Sequence, residues 1–442
     1  MKLSRTAFGV LLALGISPVA GATDLLEIYH AAQGQDAVFA AARAAREAGR
    51  EKLTQGRALM LPSVNLNANS TFNDIDTQYK GATFLPSGVT RYNTHGYGVT
   101  LVQPLFREQN WALYTESELQ VAQSEAQFKV AEQDLVLRVA QAYFDVLIAQ
   151  DSVHLAAAQK TAIAEQLEQA KRNFEVGTAT ITDTHEAQAR YDLIVAQEIA
   201  AQSNLEVSRR ALQQLIHAVP GELNPLGAAF QFEPPQPASV DKWVEEAQLN
   251  NHQIAIAQAA AQLAEKEVDR NRGGHLPTVD LVANYSNTTS NGSTFGVGSD
   301  VRAKSVGVQL NMPLFQGGAT QSRWREAEAN RERARQELEN ARRNVELQTR
   351  QAYLGVVNGI AQVQALQQAL KSSESLLGAS KLGHEVGVRT NLDVLNAQQQ
   401  AYSTRRDLYQ AEYNYLLSRL RLKAAVGGLA EADLSKVNQA LH

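Results

Sequence analysis

The stretch FEVGTATITD at residues 174–183 appears a second time, far downstream, as HEVGVRTNLD at residues 384–393. Each copy holds a glycine followed by the pattern Thr-x-x-Asp. Glycine readily adopts the left-handed backbone that ends a helix, and Thr-x-x-Asp is a capping pattern that begins the next one. Each copy therefore predicts a tight turn between two helices. The predicted turn and capping residues are Gly177, Thr180 and Asp183 in the first copy and Gly387, Thr390 and Asp393 in the second.

Other matched segments show that the whole chain is duplicated. QAY at 141–143 recurs at 351–353, QPLF at 103–106 recurs as MPLF at 312–315, and LPSVNLNANS at 61–70 recurs as LPTVDLVANYS at 276–286. We expect a first repeat at 23–218, a second at 241–427, and a C-terminal segment at 428–442. The proline-rich stretch 219–240 between the repeats suits a connector that cannot continue a helix.

Each repeat is predicted to contain the same four parts in the same order. An opening helix is followed by two segments of strict apolar and polar alternation, which indicates a β-hairpin with one apolar face. A long helix with small and apolar residues at three-to-four spacing follows, as in a coiled coil, and then a return helix. The predicted bounds are 24–58, 61–104, 107–174 and 182–218, and then 241–272, 276–313, 320–384 and 392–426.

The N-terminus and the composition predict an exported protein. Residues 1–22 combine basic residues, an apolar run at 7–16 and a small-residue site, as in a signal peptide cleaved after Ala22. No apolar run reaches the roughly 20 residues of a membrane-spanning helix, so a helical membrane protein is excluded. The net charge of −5 argues against nucleic acid as a partner, and the absence of cysteine excludes a disulfide framework.

The predicted hairpins need partners from other chains. Unpaired strand edges cannot face lipid, because nothing there satisfies the backbone, and closure takes about eight strands. Four strands per chain therefore predict a barrel shared between chains, with eight strands in a dimer or twelve in a trimer. The alternative is a soluble β-sandwich, which the Asn, Ser, Thr and Gly of the polar face disfavour.

These segments together resemble the TolC family of outer-membrane exit ducts. The resemblance rests on the QPLF and MPLF strand ends, QAYFDVL at 141–147, the two turns, and EYNYLLSRLRLKAAVG at 412–427. It implies a mixed α and β membrane protein: a homotrimer with a twelve-stranded outer-membrane β-barrel, continued through the periplasm by an α-helical coiled-coil tunnel. Such ducts serve tripartite efflux or type I secretion and dock with a periplasmic adaptor and an inner-membrane pump of the ABC, RND or MFS type.

The resemblance also implies roles for residues of the two turns. In the family, an aspartate of the first turn bonds to an arginine and a tyrosine of the second, partly across the subunit boundary, and holds the tunnel closed. Asp183 and Arg389 match the first two roles, and His384 stands at the tyrosine position, where it introduces a pH dependence. Of the two aspartate rings at the constriction, Asp393 matches one and Asn396 replaces the other.

Other functions find little support in the sequence. Ordinary helix capping alone would explain the two aspartates, but not Arg389 or His384, which have no counterpart in the first turn. No catalytic motif, cofactor site or metal site is predicted, so we expect no enzyme. An adhesive or structural coiled coil anchored by a barrel is the alternative, although it would lack a passenger domain and has no use for helices that turn back.

Overall fold

The computed structural model describes residues 23–81, 84, 87–227 and 230–441. The predicted signal peptide at 1–22 lies outside these residues. The elements in chain order are α1 (Leu25–Gln35), α2 (Ala37–Ala58), β1 (Ser63–Thr77), β2 (Gly88–Phe106), α3 (Glu108–Glu175), α4 (Ile181–Ile216), α5 (Val240–Asn250), α6 (His252–Gly273), β3 (Thr278–Ser290), β4 (Ser299–Asn311), α7 (Ala319–Glu385), α8 (Asn391–Ala425) and α9 (Glu431–Asn438).

The four strands form one antiparallel sheet in the order β1-β2-β3-β4. The β2–β3 pairing joins the hairpin of the first repeat to that of the second, with a register shift between Pro104 and Phe106. Because each end strand has a neighbour on one side alone within the chain, β1 and β4 each present an unpaired edge.

The sheet has one apolar face and one mostly polar face. Paired residues of an antiparallel sheet lie on the same face, so the registers identify the members of each. The apolar face holds Val64, Leu66 and Ala68 of β1, Tyr97, Val99 and Leu101 of β2, Val279, Leu281, Ala283 and Tyr285 of β3, and Val306, Val308 and Leu310 of β4. Asparagine, serine, threonine, glycine and glutamine dominate the opposite face. On the apolar face, the valine and leucine side chains of β1 and β4 are exposed.

Two very long helices extend the molecule away from the sheet. α3 has 68 residues and α7 has 67, which at 1.5 Å per residue gives about 100 Å each. α2 and α4 both pack along α3. α6 and α8 both pack along α7, and each of them also contacts α3. Each long helix is therefore accompanied by two shorter ones, and the turns at the ends of α3 and α7 lie at the far end from the sheet.

The opening helix of each repeat is not continuous, contrary to the sequence prediction for 24–58 and 241–272. It breaks at Asp36 and at Asn251, which both have extended backbone angles. The Asp36 carboxylate accepts a hydrogen bond from the Phe39 N–H at 2.7 Å, and Asn251 Oδ1 accepts from the Gln253 N–H at 2.8 Å. Both side chains cap a new helix, because a short polar side chain competes with the helical backbone for its hydrogen bonds.

The repeated QAY tyrosines tie the connector between the repeats to the long helices. Tyr143 of α3 donates a hydrogen bond to the Asn224 carbonyl at 3.1 Å, and Tyr353 of α7 donates to the Ala238 carbonyl. Around Tyr143 lies the main hydrophobic core, to which every helix from α1 to α9 contributes at least one buried residue. The duplicated motif thus has a structural role at the middle of the molecule, distant from both the sheet and the turns.

Candidate gate at the helical turns

The two turns have nearly identical local geometry. Gly177 and Gly387 adopt left-handed backbone angles, with φ of 75° and 77°, which a side chain would strain. The Thr180 N–H donates to the Asp183 carboxylate at 2.9 Å, and the Thr390 N–H donates to the Asp393 carboxylate at 2.9 Å. Each threonine hydroxyl accepts in return from the backbone of its aspartate. Both aspartates therefore begin a helix through a complete capping box.

The charged environments of the two aspartates differ. Arg389 Nη1 lies 3.9 Å from the Asp393 carboxylate, within the same turn. The bonds from Thr390, and to a smaller extent the charge of Arg389, hold the pKa of Asp393 below its usual range. Asp183 has no arginine beside it, because the equivalent position in its turn is Ala179. The two turns therefore share one backbone conformation but carry different charges.

The structure of one chain does not bring Asp183 and Arg389 together. Within the described residues, the Asp183 side chain bonds to Thr180 alone and Arg389 pairs with Asp393 alone. His384 lies in the last turn of α7, half-buried, and its carbonyl accepts from the Gly387 N–H at 3.1 Å. Since the family contact lies partly across the subunit boundary, the Asp183 to Arg389 link stays a prediction.

A contact that the sequence did not predict joins the two return helices. Arg190 of α4 donates from Nη2 to Asn396 Oδ1 of α8 at 2.8 Å and from Nη1 to the Gln399 side-chain oxygen. Asn396 and Gln399 are three residues apart, so they lie on one face of α8. Asn396, a predicted constriction residue, is therefore held by an arginine of the other repeat.

Apolar contacts and a groove surround this Arg190 contact. Ile163 of α3, Ile194 of α4 and Leu395 of α8 form a small buried cluster with Ala156. Farther from the turns, α3, α4 and α8 separate around an open groove of about 570 Å³. Its lining mixes aliphatic side chains with amide side chains such as Gln159, Gln197 and Asn204. The three helices are thus in close contact near the turns and diverge beyond them.

Asp151 of α3 and Glu412 of α8 are two half-buried carboxylates close enough for their charges to interact. Tyr413 Oη donates to the Asp151 carboxylate at 3.2 Å. Burial, and secondarily the charge of Asp151, raises the pKa of Glu412 to about 7, and burial likewise raises the pKa of Asp151. No lysine or arginine in the described part of the chain forms an ion pair with either carboxylate, so their repulsion is not neutralised within one chain.

Neither a metal site nor a membrane-spanning helix is found among the described residues. No group of three or more His, Asp or Glu side chains is placed to hold a metal ion. None of the helices carries an apolar stretch long enough to span a bilayer.

Comparison with known proteins places the chain among outer-membrane channels. The family model described as "Outer membrane efflux protein" matches residues 28–217 and 243–428. The alkaline protease secretion protein AprF of Pseudomonas aeruginosa is 35% identical over 99% of this chain and 91% of its own length. Outer membrane protein TolC of Vibrio cholerae is 34% identical over 97% of this chain and 96% of its own length.

The solved structures add evidence on the fold. The Campylobacter jejuni CmeC outer membrane channel superimposes with a TM-score of 0.80 at 16% identity, covering 100% of this chain and 98% of that one. The duplicated sheet-and-helix architecture is thus that of a barrel continued by a helical tunnel. The family match covers both repeats and stops short of the proline-rich connector. The chain therefore belongs to the outer membrane efflux protein family.

Proposed function

We propose that three copies of the chain form a passive duct across the outer membrane and the periplasm of a Gram-negative cell. The observation that carries this proposal is the four-stranded sheet with one continuous apolar face and two unpaired edges, attached to helices about 100 Å long. The apolar face suits lipid, and the edges require pairing with further copies. The helices have the length to extend the barrel as a tunnel.

The choice of three copies follows from the lumen that a duct requires. Two copies would close an eight-stranded barrel, whose interior is about filled by its own side chains. Three copies give twelve strands and a wider interior, lined by the polar face of the sheet. A trimer is therefore the smallest closed assembly of this sheet that leaves space for a solute.

The proposed gate lies at the turns, at the periplasmic end. Asp183 of one turn bonds to Arg389 of another, with His384 as a further donor, and Asp393 and Asn396 line the narrowest part. Support comes from the exposure of Arg389 at the turn and from its weak contact with Asp393, which leaves the guanidinium available to a neighbouring chain.

The proposed partners are a periplasmic adaptor and an inner-membrane pump of the ABC, RND or MFS type. Relatives named for secretion, such as the proteases secretion protein PrtF of Dickeya chrysanthemi, favour export of a polypeptide. Relatives named for efflux, such as the outer membrane efflux protein BepC of Brucella suis, favour a role in efflux. The duct performs no covalent chemistry, and the signal peptide at 1–22 is removed during export.

The decisive experiment combines mass and conductance. The mature protein, purified in mild detergent, is expected to have the mass of three chains by light scattering. In a planar bilayer it is expected to pass ions through a single pore, because the lumen is filled with water. A monomeric or dimeric mass would refute the twelve-stranded barrel, and a trimer without conductance would favour an adhesive coiled coil.

A further inference from the structure

Towards the loop end of the strands, the apolar face of the sheet carries aromatic and basic side chains. Tyr97 of β2 and Tyr285 of β3 lie on this face with ring centroids 6.3 Å apart. Lys304 of β4 pairs in register with Tyr285, and Arg302 pairs with Asn287. Lys304 Nζ lies 6.0 Å from the Tyr285 ring centroid. Both cations therefore stand on the same face as the aliphatic residues below them.

Some basic side chains in and beside the sheet form ion pairs, and others do not. Arg91 pairs with Asp74 at 3.1 Å and Arg107 pairs with Asp280 at 2.6 Å. Lys304 and Arg302 are exposed and form no ion pair within the described residues. Asp300, the next residue of β4 on that face, lies one row nearer the loop and forms no ion pair with Arg302. The two cations therefore lack a counterion in the part of the chain that the structure describes.

The position of Arg302 and Lys304 along β4 determines the depth in the membrane at which they lie. Eight residues separate Leu310 from Arg302 in β4, which at about 3.4 Å per residue and a tilt of about 40° corresponds to roughly 20 Å of barrel height. The apolar band of an outer-membrane barrel is about 25 Å tall and ends in a row of aromatic residues. Arg302 and Lys304 therefore lie in the upper part of this band, at the end away from the helices, from which their long side chains reach the headgroup level.

The energetics exclude a purely apolar environment for these side chains. A lysine or arginine on the lipid face is strongly destabilising at the bilayer midplane and nearly neutral close to the interface. Such side chains persist at the interface because their heads reach polar groups of the lipid. A guanidinium and an ammonium two residues apart form a donor set suited to a phosphate group.

We propose that Lys304 and Arg302 bind the phosphate of a lipid in the outer leaflet. The inference rests on the proposed duct, because it requires the apolar face to contact lipid and the helices to be periplasmic. The outer leaflet of such a membrane consists of phosphorylated glycolipid, so a lipid phosphate is the anion available at this height. Tyr97 and Tyr285 pack beside the headgroup, and the aliphatic rows below them contact the acyl chains.

The test measures lipid retained by the purified trimer, by native mass spectrometry. Three probes are compared: lipid A with its phosphates, the same lipid after their removal, and inorganic phosphate. The Arg302→Gln and Lys304→Gln double variant is expected to bind phosphorylated lipid A at least about tenfold more weakly, since each cation contributes a charge-assisted contact. Removal of the lipid phosphates is expected to lower wild-type binding to the level of the double variant.

The control is Arg91→Gln, which removes a cation of the same face that already has Asp74 as its partner, and it is expected to retain wild-type binding. Equal binding of phosphorylated and dephosphorylated lipid, or full binding by the double variant, would overturn the proposal. So would inorganic phosphate binding as tightly as the lipid. Trimer mass and conductance are recorded in the same preparations, so a failure of the duct itself is recognised separately.

Discussion

At the scale of single residues, the proposed gate depends on which carboxylate Arg389 contacts. One exposed ion pair contributes little, and in the isolated chain Arg389 lies beside Asp393 at the long distance of 3.9 Å. A symmetric trimer would contain three Asp183 to Arg389 links, which together could bias the closed state on the order of a hundredfold. Threefold symmetry thus makes a weak contact sufficient for a gate.

We expect Arg389→Ala and Asp183→Ala each to raise single-channel conductance well above wild type, because each substitution removes all three links and alters no strand. The exchanged pair, Asp183→Arg with Arg389→Asp, is expected to recover part of the closed behaviour. If capping were the sole role of Asp183, its substitution would lower thermal stability slightly and leave conductance unchanged. Unchanged conductance in both single variants, with trimers confirmed, would contradict the gate.

A second residue-scale prediction concerns Glu412, whose folded-state pKa is raised to about 7 by burial and by Asp151. A carboxyl with a raised folded-state pKa stabilises the fold fully below its unfolded pKa of about 4.3, and this stability is lost as pH rises through the folded value. We therefore expect the Tm to fall between about pH 4 and 7. Glu412→Gln should reduce this dependence by a few degrees. A wild-type slope that persists in Glu412→Gln would assign the effect to other groups.

At the scale of elements, α2 and α3 approach closely through a seam of small residues. A Cβ added to Gly49 would lie 2.5 Å from Ser124 Cβ, and one added to Gly56 would lie 2.7 Å from Ser117 Cβ. Both the glycines and the serines are seven residues apart, so the contact repeats every two turns of an antiparallel pair. Small side chains thus set the distance between these helices near the sheet.

We expect Gly49→Ala to lower the Tm, because overpacking typically costs about 1 to 3 kcal/mol while alanine returns about 1 kcal/mol of helix propensity. Gly34→Ala in α1 is the matched control, since a Cβ there meets nothing within 4 Å, and it should be neutral or stabilising. Combining Gly49→Ala with Ser124→Gly restores the space and should recover the stability. A destabilised double variant would show that the seam is not the cause.

Arg190 gives a further element-scale prediction, because its contacts with Asn396 and Gln399 join α4 to α8. Arg190→Ala should free the second turn from the first within each chain and raise open probability several-fold. The control is Gln188→Ala on the same helix, whose amide bonds to Asp192 of α4 itself at 2.8 Å. Equal single-channel records for both variants would show that the Arg190 contact does not restrain opening.

At the scale of the whole molecule, the sequence was informative wherever a local pattern determines structure. Period-two alternation predicted the strands, and the Gly and Thr-x-x-Asp patterns predicted the turns. The breaks at Asp36 and Asn251 were missed, because a polar residue within an apolar period also fits a continuous helix. Arg190 was missed because Asn396 lies 206 residues away in the chain, and nothing in the local sequence of either indicates the other.

The unpaired edges of β1 and β4 also constrain how the chains assemble. A newly exported monomer cannot complete its own sheet, so strand pairing at these edges is a concentration-dependent step among chains. Until that encounter, each edge is a template for aggregation. The helices depend on contacts closer in sequence and form sooner, which allows three chains to align along their rods before the strands enter lipid. The periplasmic half would then act as a scaffold on which the membrane half assembles. Insertion of the strands into the membrane would be the last step of assembly.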